Sequence, residues 1–433
     1  MNTKALKQRI LSLAISGKLV AQEPNDEPAT ELLKRLNPNA QPISTTEELP
    51  HGWCKILLTN ICDCYQPKTI STRELKTNGK YNVYGANGII GKYDSYNHEE
   101  SELLLTCRGA TCGAVNISKP KSWINGNAMV IHPLSDSINR SFLYYWLLAQ
   151  KNTEGIITGT AQPQITRETL KILQLILPPI AEQKRIVQKI EELFAVIDTI
   201  EQNKQQLQNT IKVAKNKILS LAISGKLVAQ EPNDEPATEL LKRLNPNAQP
   251  ISTTEELPHG WCKCKLEDVG NIITGSTPPK INNEYYGGNI PFFKPTDLEQ
   301  GIDTRLSIDH LTEIGFEQSR KLPINTILVT CIGATIGKTG MTAVIGSCNQ
   351  QINAIVPYAI MFPKYLYYLC ISDFVQTQIK NKASATTLPI LNKNTFSALE
   401  IPLPPIAEQK RIVQKIEELF ALLDTLKISS EEQ

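Results

Sequence analysis

The chain has 433 residues, 41% of them hydrophobic and 20% charged, and its formal net charge at neutral pH is +2. This length is enough for two or three domains, and the composition is that of a globular protein, which excludes a wholly disordered chain. No apolar run reaches the ~18 residues of a membrane-spanning helix, and the N-terminal residues lack a signal-peptide cleavage site, so we expect a cytoplasmic protein.

Two segments of the sequence occur twice without a change. Ile10–Lys55 recurs at Ile218–Lys263, an offset of 208 residues, and Leu177–Ala195 recurs at Leu403–Ala421, an offset of 226. Because the offsets sum to 434 in a chain of 433, joining the chain ends would regenerate the central block with one position missing. We interpret the chain as a circular repeat cut open, with two copies of one scaffold, one intact and one split between the ends. Packing alone tolerates substitutions, so the identity suggests recent recombination between the halves.

The two chain ends are predicted to be helical. Apolar residues at coiled-coil spacing lie near the N-terminus at Leu6, Ile10 and Leu13, and in the C-terminal segment at Ile412, Ile416, Leu419, Leu423 and Leu426. Neither segment has another apolar partner in the sequence. We therefore expect both ends to pack antiparallel on a central helix.

The first and second variable segments, residues 56–176 and 264–402, are predicted to share one fold. They are 121 and 139 residues long and largely dissimilar, but three fragments correspond in order. The pairs are Leu103–Gly113 with Ile327–Gly337, Gly126–Pro133 with Ile352–Tyr358, and Phe142–Ala149 with Tyr365–Ser372. The Tyr-Tyr pairs at 144–145 and 367–368 fall in the last fragment and are expected in the core.

The central scaffold predicts one long helix that begins after Pro178-Pro179 and ends near Gly225. Its apolar seam, with Lys204 filling one gap, is Ile186, Ile190, Leu193, Ile197, Ile200, Leu207, Ile211, Ala214, Ile218 and Leu221. About 43 residues of helix span roughly 60–65 Å, nearly two turns of duplex DNA. This helix can serve as a spacer of fixed length, or simply as an interdomain coiled coil. A short second helix is expected at about Pro236–Leu244.

The ten cysteines are expected to be reduced thiols, because no two have CxxC spacing and several lie in apolar runs. Cys54, Cys62 and Cys64 come nearest to a metal-binding cluster. No other Cys or His completes them at zinc-finger spacing, so we expect no metal.

The sequence resembles the specificity subunits of type I restriction-modification systems over essentially its whole length. LPPIAEQKRIVQKIEELFA resembles the start of that family's conserved helix, and SGKLVAQEPNDEPATELLKRL resembles its end. ELPHGW at Glu48–Trp53 and Glu256–Trp261 resembles the start of its target recognition domains, and Tyr81–Asp94 and Gly275–Leu298 resemble stretches within them.

The resemblance implies an α+β fold, with two mixed α/β target recognition domains joined by long antiparallel coiled-coil helices in pseudo-two-fold, circular symmetry. The implied segments are an N-terminal helical segment (1–50), recognition domain 1 (51–176), the helical spacer (177–258), recognition domain 2 (259–402) and a C-terminal helix (403–433). Each domain would read one half of a bipartite, asymmetric target in double-stranded DNA.

The implied partners are two methyltransferase subunits, which would dock on the helices, and restriction/translocase subunits. S-adenosylmethionine, ATP and Mg²⁺ would be bound by those partners, with no cofactor in this chain and no catalytic role. The sequence agrees, because Gly333–Gly340 is one residue short of a P-loop and no methyltransferase or nuclease motif is present.

DNA contacts are then expected from polar residues of the variable segments, which carry twelve basic and nine acidic residues in the first and eleven of each in the second. In the first domain we select Lys68, Arg73, Lys76, Lys80, Tyr84, Asn87, Lys92 and Arg108. In the second we select Ser276, Lys280, Asn282, Asn283, Tyr285, Lys294, Lys338, Asn349 and Gln350. Arg108 is singled out because Ile332 occupies the matched position of the other domain.

Three alternatives stay open from the residues alone. The first is a stand-alone, two-headed DNA-binding regulator without enzymatic partners, the second an enzyme with an unrecognised centre. The third is a structural adaptor that binds no nucleic acid, which the small net charge favours.

Overall fold

The structure, a computed structural model, describes residues 2–150, 156–159, 163–254, 256–384 and 388–432, with side chains as far as Leu426 in the last helix. The chain divides into two compact units, residues 1–203 and 204–433. Each unit combines one recognition domain with three helical segments of the scaffold. The fold is α+β, as predicted.

The first unit contains nine strands and five helices or parts of helices among its described residues. The helices are α1 (Thr3–Ile15), α2 (Ala29–Leu36), α3 (Arg140–Ala149), α4 (Arg167–Leu170) and the first part of α5 (Ile180–Ile223). The strands are β1 (Cys54–Leu57), β2 (Cys62–Tyr65), β3 (Tyr81–Gly85), β4 (Gly88–Tyr93), β5 (Leu103–Thr106), β6 (Val115–Ile117), β7 (Trp123–Ile124), β8 (Ala128–Pro133) and β9 (Gln174–Leu177).

Three sheets build recognition domain 1. Strands β1 and β9 form an antiparallel pair in which Cys54 lies opposite Leu177, so the domain begins and ends side by side next to the scaffold. A four-stranded sheet has the order β2-β8-β5-β6, and a three-stranded sheet has the order β4-β3-β7. The residues Leu103–Thr106 of β5 are all buried, which explains why this apolar run forms a central strand.

The second unit repeats this arrangement. After the rest of α5, its helices are α6 (Ala237–Leu244), α7 (Glu313–Glu317), α8 (Pro363–Ile371), α9 (Asp373–Lys382), α10 (Lys393–Ser397) and α11 (Ile406–Glu432). Its strands are β10 (Cys262–Lys265), β11 (Gly270–Thr274), β12 (Tyr286–Phe293), β13 (Asp309–Leu311), β14 (Ile327–Thr330), β15 (Thr339–Met341), β16 (Ser347–Cys348), β17 (Ile352–Pro357) and β18 (Glu400–Leu403).

The sheets of the second unit have the topology of the first. Strands β10 and β18 pair as β1 and β9 do, with Cys262 opposite Leu403. The larger sheet has the order β11-β17-β14-β15, and the smaller has the order β13-β12-β16. The prediction that the two variable segments share one fold is therefore confirmed, although few of their residues are the same.

In the first unit, the N-terminal helix packs antiparallel on α5. Ile10, Leu11 and Ala14 of α1 are buried in one core with Ile186 and Ile190 of α5. Near the start of α1, Lys7 pairs with Asp198, whereas Asp26, beyond its end, pairs with Arg185 nearer the start of α5. The two helices therefore run in opposite directions.

In the second unit, the C-terminal helix packs on α5 in the same way. Ile412 and Ile416 of α11 share a core with Leu219 and Ala222 of α5. Asp424 pairs with Lys215, with 2.7 Å between the carboxylate oxygen and Nζ, and Arg411 pairs with Asp234, which lies beyond the end of α5. The predicted antiparallel packing of both chain ends is confirmed within each unit.

The predicted seam of α5 is only partly correct. Of its ten apolar residues, Ile186, Ile190, Ile197 and Ile211 are buried, five are half-buried, and Ile200 is 43% exposed. On the two chain ends, the predicted seam residues Leu6 and Leu426 are 37% and 52% exposed. The apolar spacing therefore indicates the helices but not every position at which a partner helix covers them.

The predicted helix boundaries agree with the structure to within one or two residues. Helix α5 begins at Ile180, directly after the two prolines, and ends at Ile223. Gly225 follows with a φ of +66°, a left-handed conformation that glycine adopts without strain. A Cβ at this position would also lie 2.4 Å from Pro258 Cγ, so both the backbone conformation and the lack of space require glycine.

Burial of the matched aromatic and cysteine residues follows the prediction in part. Tyr367 and Tyr368 are in the core, but Tyr144 and Tyr145 are only half-buried. All ten cysteines are free thiols, nine of them buried. Burial raises the pKa of the Cys54 thiol and of the Cys262 thiol to about 11. No helix in the described ranges has the length and apolarity needed to cross a bilayer.

Candidate nucleic-acid interface

Each recognition domain is joined to its scaffold helix by the same buried hydrogen-bond network. In the first unit, the Glu182 carboxylate accepts hydrogen bonds from Trp53 Nε1 at 2.9 Å and from Gln22 Nε2 at 3.2 Å. In the second unit, Glu408 accepts from Trp261 at 2.9 Å and from Gln230 at 3.2 Å. Burial raises the pKa of both carboxyls, and the hydrogen bonds oppose that rise.

This network fixes where each domain begins relative to its helix. The tryptophan immediately precedes the first strand of the domain, and the glutamate lies in the first turn of the scaffold helix. The two units are therefore anchored identically, and any difference in what they bind must come from the variable segments.

A cleft of about 520 Å³ lies in recognition domain 2, lined by residues of β12 and β13 and of the segments that follow β11, β12 and β16. It collects five of the nine residues predicted to contact DNA in this domain, namely Lys280, Asn283, Lys294, Asn349 and Gln350. Lysine and amide side chains in one cleft match the chemistry that binds phosphates and base edges. Lys294, directly after β12, already pairs with Asp309 on the adjacent strand β13.

Five further lining residues were not predicted from the sequence. They are Thr277, Tyr286, Phe292, Asp309 and Gln351. Gln351 could have been found, because it directly follows the selected pair Asn349-Gln350 and precedes the matched fragment at Ile352. Thr277 and Tyr286 carry no such signal.

The other predicted residues of domain 2 are placed around the cleft or away from it. Ser276 donates its backbone N–H to the Cys348 carbonyl, next to Asn349, at 3.0 Å. Asn282 and Tyr285 flank Asn283 in the same short turn. Lys338 lies elsewhere and pairs with Glu299 at 2.8 Å, which lowers the pKa of that carboxyl.

In recognition domain 1, the structure brings together the segments that carry Lys68, Asn87 and Arg108. Gln66, two residues before Lys68, donates to Cys107 Sγ at 3.1 Å, and Cys107 precedes Arg108. The Thr106 hydroxyl donates to the carbonyl of Ala86, the residue before Asn87. All three predicted side chains are exposed.

Four more predicted residues of domain 1 lie on or beside the β3–β4 hairpin and are exposed: Arg73, Lys76, Lys80 and Lys92. Lys76 pairs with Asp94, whose hydrogen bond and charge raise the pKa of the ammonium group. The Lys80 ammonium lies 5.3 Å from the centre of the Tyr81 ring. Such exposed contacts hold a lysine weakly because solvent screens them, so a phosphate can compete for it.

Tyr84 is a core residue, and its selection as a DNA contact was wrong. It is 5% exposed and packs with Leu104, Ile124 and Val130. Its hydroxyl oxygen accepts a hydrogen bond from the Lys119 backbone N–H at 3.0 Å. Because its side chain faces the interior from the buried end of β3, it has no surface to offer a ligand.

Arg108 begins a turn that has an equivalent in the other domain. The turn joins β5 to β6, and its equivalent, which contains Ile332, joins β14 to β15. Arg108 forms an isolated backbone bridge with Gln164, and Ile332 forms the same bridge with Ile390. The structure thus confirms that these two positions match, and it adds Gln164 as a polar neighbour that the sequence did not indicate.

The described residues contain no group of three or more His, Cys, Asp or Glu side chains arranged to hold a metal ion. Most residues of the cleft and of the Arg108 region carry lysine, arginine, amide or hydroxyl groups, and Phe292 and Asp309 also line the cleft. Their arrangement can bind an anionic polymer and hydrogen-bond to base edges.

Comparison with known proteins is consistent with this arrangement. Residues 50–209 and 258–432 match the model of the type I restriction modification DNA specificity domain. These two ranges include both recognition domains, the first part of α5 and helix α11. The chain belongs to this family of DNA specificity domain proteins.

Relatives align along most of the chain. The EcoAI specificity subunit of a type I restriction enzyme from Escherichia coli is 26% identical, with 98% of this chain and 90% of that protein covered. The HindI specificity subunit from Haemophilus influenzae is 30% identical, with 64% and 70% covered. Among solved structures, the HsdS subunit from Thermoanaerobacter tengcongensis has a TM-score of 0.50 at 17% identity, with 89% and 93% covered.

A structure described as showing complex assembly and conformational transition of the type I R-M system is more similar. It has a TM-score of 0.61 at 19% identity and covers 89% of this chain and 94% of that chain. At this identity the likeness shows the fold. It agrees with two recognition domains carried on paired helices.

Proposed function

We propose that this chain is the DNA-recognition subunit of a type I restriction-modification complex and that each recognition domain reads one half of a bipartite, asymmetric target in double-stranded DNA. The observation that carries the proposal is the contrast between the two domains. They share their topology and their anchoring network, but they differ at matched positions such as Arg108, which is exposed, and Ile332, which is half-buried. Two unlike surfaces on one framework are what two different half-sites require.

The scaffold supports a second part of the proposal, the docking of two identical methyltransferase subunits. The repeated segments are identical in sequence, and their buried contacts agree to within 0.1 Å between the units. Each unit therefore offers the same surface to a partner. Restriction/translocase subunits would join this assembly.

The chemistry of the complex would then belong to the partners. S-adenosylmethionine, ATP and Mg²⁺ would be bound there, and this chain would supply DNA recognition without catalysis. Helix α5 would set the gap between half-sites, since its 44 residues form one continuous helix of about 66 Å.

The test is to express the chain with and without a type I methyltransferase subunit in a host that lacks adenine and cytosine methylation, and to map methylated positions across the genome. We expect methylation at one bipartite, asymmetric sequence, only when both proteins are present. Tight, specific DNA binding by the chain alone, without association with the methyltransferase, would instead support a stand-alone regulator. Methylation by the chain alone would show that it is an enzyme.

A further inference from the structure

One turn is shared by the two recognition domains although their other exposed residues differ. We call residues 109–111 and 333–335, which both read Gly-Ala-Thr, the GAT turns. Each follows the central strand of the larger sheet, β5 or β14. Gly109 has a φ of +91° and Gly333 a φ of +102°, so the backbone requires glycine there.

The backbone explains the glycines but not the two residues after them. Ala110, Thr111, Ala334 and Thr335 are all exposed, so packing does not fix their identity. Each GAT turn is closed by a hydrogen bond back to the glycine carbonyl, from Cys112 at 3.0 Å and from Ile336 at 3.1 Å. Alanine and threonine therefore occupy the two central positions of a tight turn.

Both turns expose the same pair of donors. Within the described ranges, the backbone N–H groups of Ala110 and Thr111 donate no hydrogen bond, and those of Ala334 and Thr335 donate none. Two consecutive free N–H groups at a glycine turn can bind an anion, and a threonine hydroxyl adds a third donor. Each connection also carries one cation, Arg108 before the first turn and Lys338 after the second.

The second GAT turn borders the cleft of domain 2. The Cys331 N–H donates to the Gln351 carbonyl at 2.7 Å, and Gln351 Nε2 lies 3.8 Å from the position that a Cβ on Gly333 would take. Gln351 lines the cleft. In domain 1, Cys107 makes the equivalent bond to Asn127 at 3.0 Å.

We propose that each GAT turn binds one phosphate group of the DNA backbone through the N–H groups of its alanine and threonine. This proposal rests on the proposed function. Within each domain it assigns phosphate binding to the GAT turn and base recognition to residues beside it. A contact made by backbone N–H groups carries no sequence information, so it can be the same in both domains, whereas Arg108 and Ile332 beside it differ because bases are read there.

The experiment uses the full chain in its complex with the methyltransferase subunit, and duplexes with and without the methylation target. Ala110→Pro and Ala334→Pro each remove one N–H, and proline suits this position of the turn. Ala110→Gly and Ala334→Gly are the matched controls, since they keep the N–H. We expect each proline variant to bind both duplexes roughly 10-fold more weakly, with an unchanged half-site preference.

Salt dependence separates this contact from one made by a cation. Removing a neutral N–H displaces no counterion, so the slope of log K against log salt should stay that of the wild type. Replacing a lysine or arginine that contacts a phosphate should instead lower the slope by about 1. A proline variant with affinity within about twofold of wild type, or with altered half-site preference, would overturn the proposal.

A second measurement maps the phosphates that the complex contacts. In wild-type complex, replacing target phosphates one at a time by uncharged methylphosphonate should reveal one phosphate per half-site whose loss weakens binding roughly 10-fold. The same methylphosphonate replacement should lower the affinity of the Ala110→Pro or Ala334→Pro complex only slightly further. Equal losses in wild type and variants would exclude the GAT turns. If the wild-type complex binds no target duplex at all, the proposed function itself fails.

Discussion

Replacing Trp53 or Trp261 by Phe tests the anchoring of the recognition domains to the scaffold. Each indole is 6–7% exposed and donates to a carboxylate at 2.9 Å. A hydrogen bond to a charged group contributes about 1.5–3 kcal/mol, and losing part of a buried aromatic ring costs about 1–2 kcal/mol more. We expect either substitution to lower the free energy of unfolding of its unit by about 3–5 kcal/mol.

The loss should depend on pH in a definite direction. Burial raises the pKa of Glu182 and of Glu408 above the ordinary 4.5, so the ionised carboxyl is disfavoured in the folded state. The stability linked to the protonated form is complete below that ordinary pKa and is lost as pH rises through the higher folded pKa. At neutral pH the tryptophan N–H stabilises a buried charge. At about pH 4 it contacts a neutral carboxyl, and its removal should cost only about 0.5–1.5 kcal/mol.

Urea denaturation of the full chain, followed by far-ultraviolet circular dichroism at pH 7 and pH 4, measures both effects. Each variant serves as the control for the other, because the two networks have the same distances. A loss below about 1 kcal/mol at pH 7 in both variants, or one that does not shrink at pH 4, would refute this account of the network.

Two further predictions concern recognition. Inserting four residues within 201–208 of α5 should lengthen the preferred gap between half-sites by about 6 Å, roughly two base pairs, or abolish assembly. Each half-site sequence should stay the same, and a shift of half-site identity in methylation mapping would contradict this prediction. Arg108→Ala should weaken recognition of one half-site by about 1–3 kcal/mol, or relax its sequence preference, if Arg108 makes a bidentate base contact. The control Ile332→Ala should leave recognition of that half-site unchanged. An unchanged methylation pattern for Arg108→Ala would exclude Arg108 from the interface.

The scaffold could be predicted from the sequence because its segments are repeated and its apolar residues recur at helical spacing. Residues separated by regular steps of three and four define α5 and the faces of α1 and α11, and Pro179 and Gly225 mark its ends. Exposure of Ile200 was not predictable, since apolar spacing does not show which positions of a helix another segment covers.

The interface was predictable only in part, because polar residues in loops carry no periodic signal. The sequence selected Lys280, Asn283 and Gln350, which line one cleft, but also Tyr84, which is buried. A tyrosine between polar residues gives no indication of which face of a strand it occupies until the sheet is known. The pairing of Arg108 with Gln164 joins residues 56 positions apart and likewise needed the structure.

Exchanging one recognition domain tests the central claim most directly. Residues 56–176 can be replaced by a second copy of residues 264–402 without altering either junction, because Cys54-Lys55 and Leu177 are identical to Cys262-Lys263 and Leu403 and pair in the same register. Methylation mapping of the complex with this variant should give a palindromic target, with two inverted copies of one wild-type half-site and the gap unchanged. Retention of the original asymmetric target, or a half-site found in neither wild-type half, would contradict the account.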